Sequence, residues 1–253
     1  MSGHSKWSSI KHQKAIADKR RANLFTKLGN AISVAARSGG DPEMNYQLRL
    51  AIDKAKAANM PRENIERAIK RGTGQLPGAQ IEEITYEIYG PFGTAVLAKV
   101  LTDNKNRTIS QIKSVLNKFG GKLAGSGAVS YLFERKGEIK VGIDGQGVGG
   151  QSANLGPEEI ELKIIDSGAD DYQKIPASPA GGEGGYLIYT RPETLKDVAD
   201  ALKQNGLKVE STELVFQPKN TIDLPEAESK KVVDFLEALD DLDEVTEVNS
   251  NLG

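Results

Sequence analysis

The 253-residue chain is predicted to be an α+β protein, with an N-terminal helical domain followed by two ferredoxin-like α+β domains, one inserted in the other. Three observations predict this. Apolar residues recur every three or four positions through the first 75 residues, the spacing of helix faces. From about residue 80 the period drops to two, the spacing of half-buried strands. The tail then returns to one helix and one short strand, the elements that the first α+β unit otherwise lacks.

Taking the elements in order, Leu24, Leu28, Ile32 and Ala35, with Phe25 beside them, make one helical stripe. Ser38-Gly39-Gly40 stops that helix, and Asp41-Pro42 is expected to cap and open the next. Its inner face is Leu48, Ala51, Ile52 and Ala55. Pro61 opens a third helix with Ile65, Ala68 and Ile69 inward, and Gly72 is its expected C-cap. Lys70 and Arg71 fall in its last turn, where the dipole favours cations. Thr73 to Gln80 reads as a linker.

Ile84, Tyr86 and Ile88 then alternate with polar residues, and Thr94–Thr102 follows a Pro91-Phe92-Gly93 turn, which predicts a hairpin. A helix with Ile109, Ile112, Leu116 and Phe119 inward ends at Gly120-Gly121. Val129, Tyr131 and Phe133 alternate as a further expected strand. From Gly137 the order is strand Glu138–Ile143, helix Pro157–Asp166, strand Asp170–Ile175, strand Tyr186–Thr190, helix Pro192–Gln204 and strand Lys208–Phe216. That is βαββαβ, the ferredoxin-like order. Pro225–Leu239 forms an amphipathic helix with Val232, Val233, Leu236 and Leu239 inward, and Glu244–Val248 is a short strand. If these two complete the first α+β unit, the βαββαβ segment is an insertion.

Net charge is −2 overall, but it is divided unevenly. Residues 1–75 carry fifteen Lys and Arg against six Asp and Glu, net +9, and the remainder is net −11. Such asymmetry points to one part made for a polyanion. The density is highest at the start, where Lys6, Lys11, Lys14, Lys19, Arg20, Arg21, Lys27 and Arg37 face only Asp18. Phosphate neutralisation with counterion release suits that pattern. Lys11 and Lys14 are three apart and share a helix face. Trp7 and His12 lie among these cations, placed to stack on a base or ribose, and His4 is a further candidate nucleic-acid contact. The competing interpretation is a solvated helix face, with Trp7 as a core anchor.

Other chemistry is poorly served. Without cysteine there are no disulfides, thiolate zinc sites or cysteine nucleophiles, which fits a reducing cytoplasm. No run approaches the ~18 apolar residues of a membrane span, and Met1–Ile16 has no signal-peptide core. His4 and His12 are the two histidines, too few for a metal set or a convincing triad. Gly145, Gly147 and Gly150 match G-x-G-x-x-G, but no helix opens directly after them, so a flexible loop is expected. Ala180–Gly185 is a second glycine-rich stretch. The acid-rich end from Glu226 to Glu247 offers nine carboxylates against Lys230 and Lys231, either a metal-dependent enzyme's site, a partner surface or, more simply, a solvated face. The chain is therefore not expected to be an enzyme. No cofactor, metal, membrane or small-molecule substrate is implied.

Several longer motifs are distinctive. Gly3-His4-Ser5-Lys6-Trp7 followed by Ile10-Lys11-His12 resembles the opening of the YebC/PmpR family. Leu48 to Pro61 (LRLAIDKAKAANMP), Asn64-Ile65-Glu66-Arg67-Ala68-Ile69, Gly72-Thr73-Gly74, Tyr89-Gly90-Pro91 and Leu101-Thr102-Asp103-Asn104-Lys105-Asn106-Arg107-Thr108 are similar to its further signatures. The resemblance spans essentially the whole chain and thins between about 140 and 185. It implies three domains, here 1–78, 79–136 plus 219–253, and an inserted 137–218, and it implies no catalytic residues. Family members are described as DNA-binding transcriptional regulators of the bacterial cytoplasm. Others, including a mitochondrial translational activator, act on the ribosome and assist synthesis through consecutive prolines. Two targets therefore compete, duplex DNA and ribosomal RNA. The residues show no defined helix-turn-helix spacing, and the thin basic end at Gly3–Lys6 suits insertion into folded RNA.

Overall fold

The computed structural model describes residues 7, 18–77, 80–142, 156–175 and 184–253. They divide into two compact units, one holding the residues up to Phe133 together with Pro218–Gly253, the other Glu134–Gln217. In chain order the elements are α1 (Asp18–Ala35), α2 (Tyr46–Ala57), α3 (Arg62–Gly72), β1 (Glu82–Tyr89), β2 (Ala95–Thr102), α4 (Lys105–Phe119), β3 (Lys122–Leu123) and β4 (Phe133–Gly142). There follow α5 (Pro157–Asp166), β5 (Asp171–Ile175), β6 (Gly185–Thr190), α6 (Leu195–Gln204), β7 (Lys208–Pro218), α7 (Glu226–Asp240) and β8 (Val245–Ser250). The chain is α+β, as its periodicities predict.

In the first unit α1, α2 and α3 close around Leu28, Ile32, Leu48, Ile52, Ile65 and Ala68. Two helix ends differ from expectation. Asp41-Pro42 only makes a turn, in which the Asp41 side chain accepts the Glu43 N–H at 2.9 Å. The cap of α2 is Asn45, whose Oδ1 accepts the Leu48 N–H at 3.1 Å while its amide donates to the Ala35 and Gly39 carbonyls. Asn45 is thus a cap that also ties α1 to α2. Gly72 is the last residue of α3 rather than its C-cap. A Cβ there would lie 2.2 Å from the Ser33 carbonyl oxygen, so glycine is required by the close approach of α1 and α3, not by a left-handed turn.

The sheet of this unit runs β3-β1-β2-β8, with every neighbouring pair antiparallel. The β1–β2 hairpin lies at its centre, and the tail does supply the fourth strand, as anticipated. Ile112 and Leu116 of α4 and Val232, Phe235, Leu236 and Leu239 of α7 are fully or almost fully buried. Phe235 is the tail helix's main core residue, and Val233, expected inward, is only half-buried. The expected strand at Val129–Phe133 is instead a loop and a 3-10 turn (Ser130–Leu132), with β4 starting at Phe133. The Glu87 carboxylate, on β1, explains the loop. It accepts the N–H groups of Gly127, Val129 and Ser130 at 2.6, 2.7 and 2.9 Å, which removes them from any ladder.

The second unit has the order β4-α5-β5-β6-α6-β7 in the chain and β5-β6-β4-β7 in the sheet. That is the ferredoxin-like arrangement. The central strand β6 is buried along its whole length. Ile160, Ile164, Leu195, Val198 and Leu202 turn their helix faces inward. Gly145, Gly147, Gly150 and the stretch 176–183 lie outside the described residues.

Candidate nucleic-acid interface

Among the described residues, several cations of the helical segment fall into two groups. One group holds the fold together. Arg71 donates from Nε to Ser33 Oγ (3.0 Å) and from Nη2 to the Gly29 carbonyl (3.2 Å) and Asn30 Oδ1 (3.0 Å), stapling α3 to α1. Burial pulls its pKa below the usual guanidinium value. Arg49 donates from Nε to the Pro42 carbonyl and pairs with Glu43 at 2.9 Å. The other group is exposed and comprises Lys54 and Lys56 on α2 and Arg62, Arg67 and Lys70 on α3. Arg62 pairs with Glu66 at 2.7 Å, one turn along the helix. Arg67 and Lys70 are three apart and share one face of α3.

The residues expected to contact nucleic acid are placed as follows. Trp7 is 3% exposed, and its Nε1 donates to the Val248 carbonyl of β8 at 2.8 Å. The ring is an anchor on an edge strand, not a surface on which a base stacks. Lys27 donates to the Asp240 carbonyl at the end of α7, and Arg37 to the Ile81 carbonyl just before β1. Both therefore tie α1 and the turn after it to the α+β part of the same unit. Lys19, Arg20 and Arg21 lie on the first turns of α1. His4, Lys6, Lys11, His12 and Lys14 lie outside the described residues.

Between the helices and the sheet of the first unit runs a groove of about 1100 Å³. Arg67 and Arg71 line one wall, and Asp103, Arg107, Gln111 and Glu244 another. The Leu101–Thr108 motif is built into this wall. Asn104 caps α4 by accepting the Arg107 N–H at 3.1 Å. Arg107 then donates to Asp103 (2.7 Å) and from Nε to Glu244 (3.0 Å). The pair raises the arginine's pKa, first through its hydrogen bonds to Glu244 and Asp103. The buried Thr108 hydroxyl also donates to Glu244 and lies 2.9 Å from Thr102 Oγ1. The motif thus latches the start of α4 to the turn before β8. Its partner, Glu244, is 137 positions from Arg107, and no local pattern could reveal it.

Among the described residues no group of three or more His, Cys, Asp or Glu side chains is arranged to hold a metal ion. None of the described helices is long and apolar enough to cross a membrane.

Comparison with known proteins agrees with this architecture. Residues 5–75 match the model of the TACO1/YebC protein N-terminal domain, and residues 81–252 that of the TACO1/YebC second and third domain. A relative from Pseudothermotoga lettingae, named a probable transcriptional regulatory protein, is 47% identical over 99% of this chain and 93% of its own length. One of the same name from Aquifex aeolicus is 46% identical over 99% of this chain and 95% of its own. The crystal structure of a conserved hypothetical protein from Aquifex aeolicus is similar at a TM-score of 0.83 and 45% identity. It covers 98% of this chain and 97% of that one.

Proposed function

The chain belongs to the TACO1/YebC family, and from that premise we propose that it is a nucleic-acid-binding regulator of gene expression rather than an enzyme. The N-terminal helices hold the phosphates, and the two α+β domains, 79–136 plus 219–253 and 137–218, act as scaffold and partner surface. The observation that carries this is the concentration of positive charge in the helical segment, with Arg67 and Lys70 exposed on α3. Duplex DNA is the first target, in keeping with the relatives' names. It has local support, because α2 and α3 are joined by only four residues, and Asn59 takes a left-handed φ of 58°. Turns of that length join the helices of helix-turn-helix units. A second reading, a translation factor on ribosomal RNA, is favoured by exposed aromatic rings at the β1–β2 turn, since unpaired RNA bases stack on such rings.

The test is a salt titration of affinity for duplex DNA and for structured RNA. Arg67→Ala with Lys70→Ala, or Lys11→Ala with Lys14→Ala, should weaken binding and flatten the plot of log K against log salt by about one per lost phosphate contact. An unchanged slope in both double variants overturns the proposal.

A further inference from the structure

The rings that remain on the surface are not in the basic helices. Among the described residues Tyr89, Phe92 and Tyr131 are the three exposed aromatic side chains, at 48%, 44% and 64%. They gather at one end of β1. Tyr89 is its last residue, and Phe92 sits three residues on, across the Gly90-Pro91 turn. Tyr131 follows the loop whose amides Glu87 holds, and Glu87 is two residues before Tyr89 on the same face of the strand. Lysines border this surface, one of them close to a ring. Lys122 is the cross-strand partner of Tyr89. Lys231 Nζ lies 5.9 Å from the Phe92 ring centroid. Lys219 Nζ donates to the Tyr131 carbonyl at 2.9 Å. All three lysines are exposed.

A second property marks Phe92. Its backbone lies at φ 56° and ψ 28°, the left-handed region where a bulky residue is out of place. A ring held in that conformation and left on the surface contributes little to the core.

Exposed rings flanked by cations are the chemistry of a stacking platform, in which bases lie on rings and lysines meet the phosphates between them. Duplex DNA hides its base faces, whereas RNA loops and single strands present them. We propose that the Tyr89–Phe92–Tyr131 surface is a second nucleic-acid contact, which takes a single-stranded stretch of RNA. This deepens the nucleic-acid reading above and rests on it.

The test uses the full chain with a fluorescent single-stranded RNA oligonucleotide, the same sequence as single-stranded DNA, and a duplex DNA. The variants are Tyr89→Leu, Phe92→Gly and Tyr131→Leu. Glycine accepts the positive φ, so Phe92→Gly should keep its thermal midpoint while losing the ring. Each variant should weaken RNA binding about five-fold or more and leave duplex binding unchanged. If the wild type binds RNA, and Arg67→Ala/Lys70→Ala weakens it, but the ring variants bind equally well, the platform alone is overturned and the surface fits a protein partner instead. A loss confined to single-stranded DNA also overturns it. If the wild type binds no nucleic acid, both readings fall together.

Discussion

Removing the Trp7 ring should unfold the protein's periphery before it affects any binding. The indole is almost wholly buried, and its N–H is satisfied by the Val248 carbonyl at 2.8 Å on the outer strand of the sheet. Two substitutions separate its contributions. Trp7→Phe keeps most of the apolar surface and removes the donor, leaving a carbonyl with a lost partner, at a cost of about 1–2 kcal/mol. Trp7→Ala adds a cavity, and truncations of this size cost about 3–5 kcal/mol in cores. Urea unfolding followed by circular dichroism should therefore rank wild type above Phe above Ala, with about 1–4 kcal/mol between the variants. Trp7 is the chain's single tryptophan, so its fluorescence offers an independent check. Emission should be blue-shifted, resist a collisional quencher, and stay constant as nucleic acid is added. The assignment is refuted if Trp7→Ala costs less than about 0.5 kcal/mol, the range of ordinary surface changes, or if oligonucleotides quench the indole.

Two further outcomes follow from the packing. Gly72→Ala places a methyl group against the Ser33 carbonyl and the Ala36 side chain, so α1 and α3 must separate; thermal unfolding should show a loss of about 1–3 kcal/mol, and a neutral variant would mean the helices are not held so closely. Desolvation pushes the Glu87 carboxyl up, but the N–H groups of Val129, Gly127 and Ser130, with the Ser130 side chain, outweigh it and leave the pKa lowered. Its stabilising effect is then fully present above the ordinary carboxylate value and fades as pH falls through the depressed one. Glu87→Gln should remove that part of the acid-side decline, and a variant whose stability falls with pH as the wild type's does would show that the loop does not depend on the charge.

The helix faces and strands are legible in the sequence because they depend on local spacing. Leu48, Ile52 and Ala55 line one side of α2, and Leu195, Val198, Ala199 and Leu202 one side of α6, as read. The tail completing the first sheet was legible by elimination, since that unit lacked a strand. What escapes is settled by distant partners. Asn45, not Asp41, caps α2 because its amide also reaches α1. The alternation at Val129, Tyr131 and Phe133 mimics a strand, but a carboxylate some forty positions earlier claims the loop's amides. Lys27 and Arg37 read as free cations, yet each donates to a carbonyl of the α+β part. Charge density shows which segment carries the excess of cations. It does not show which of its cations the fold has already used.

The span between Trp7 and its acceptor also sets a timetable. Val248 is 241 positions later, close to the last residue translated. At ordinary elongation rates that interval is roughly ten to fifty seconds. Throughout it the strand that anchors Trp7 is not yet made, and the whole of Glu134–Gln217 is synthesised in between. Trp7 therefore docks at the end of synthesis rather than at its start, after every other strand of the first sheet has been made.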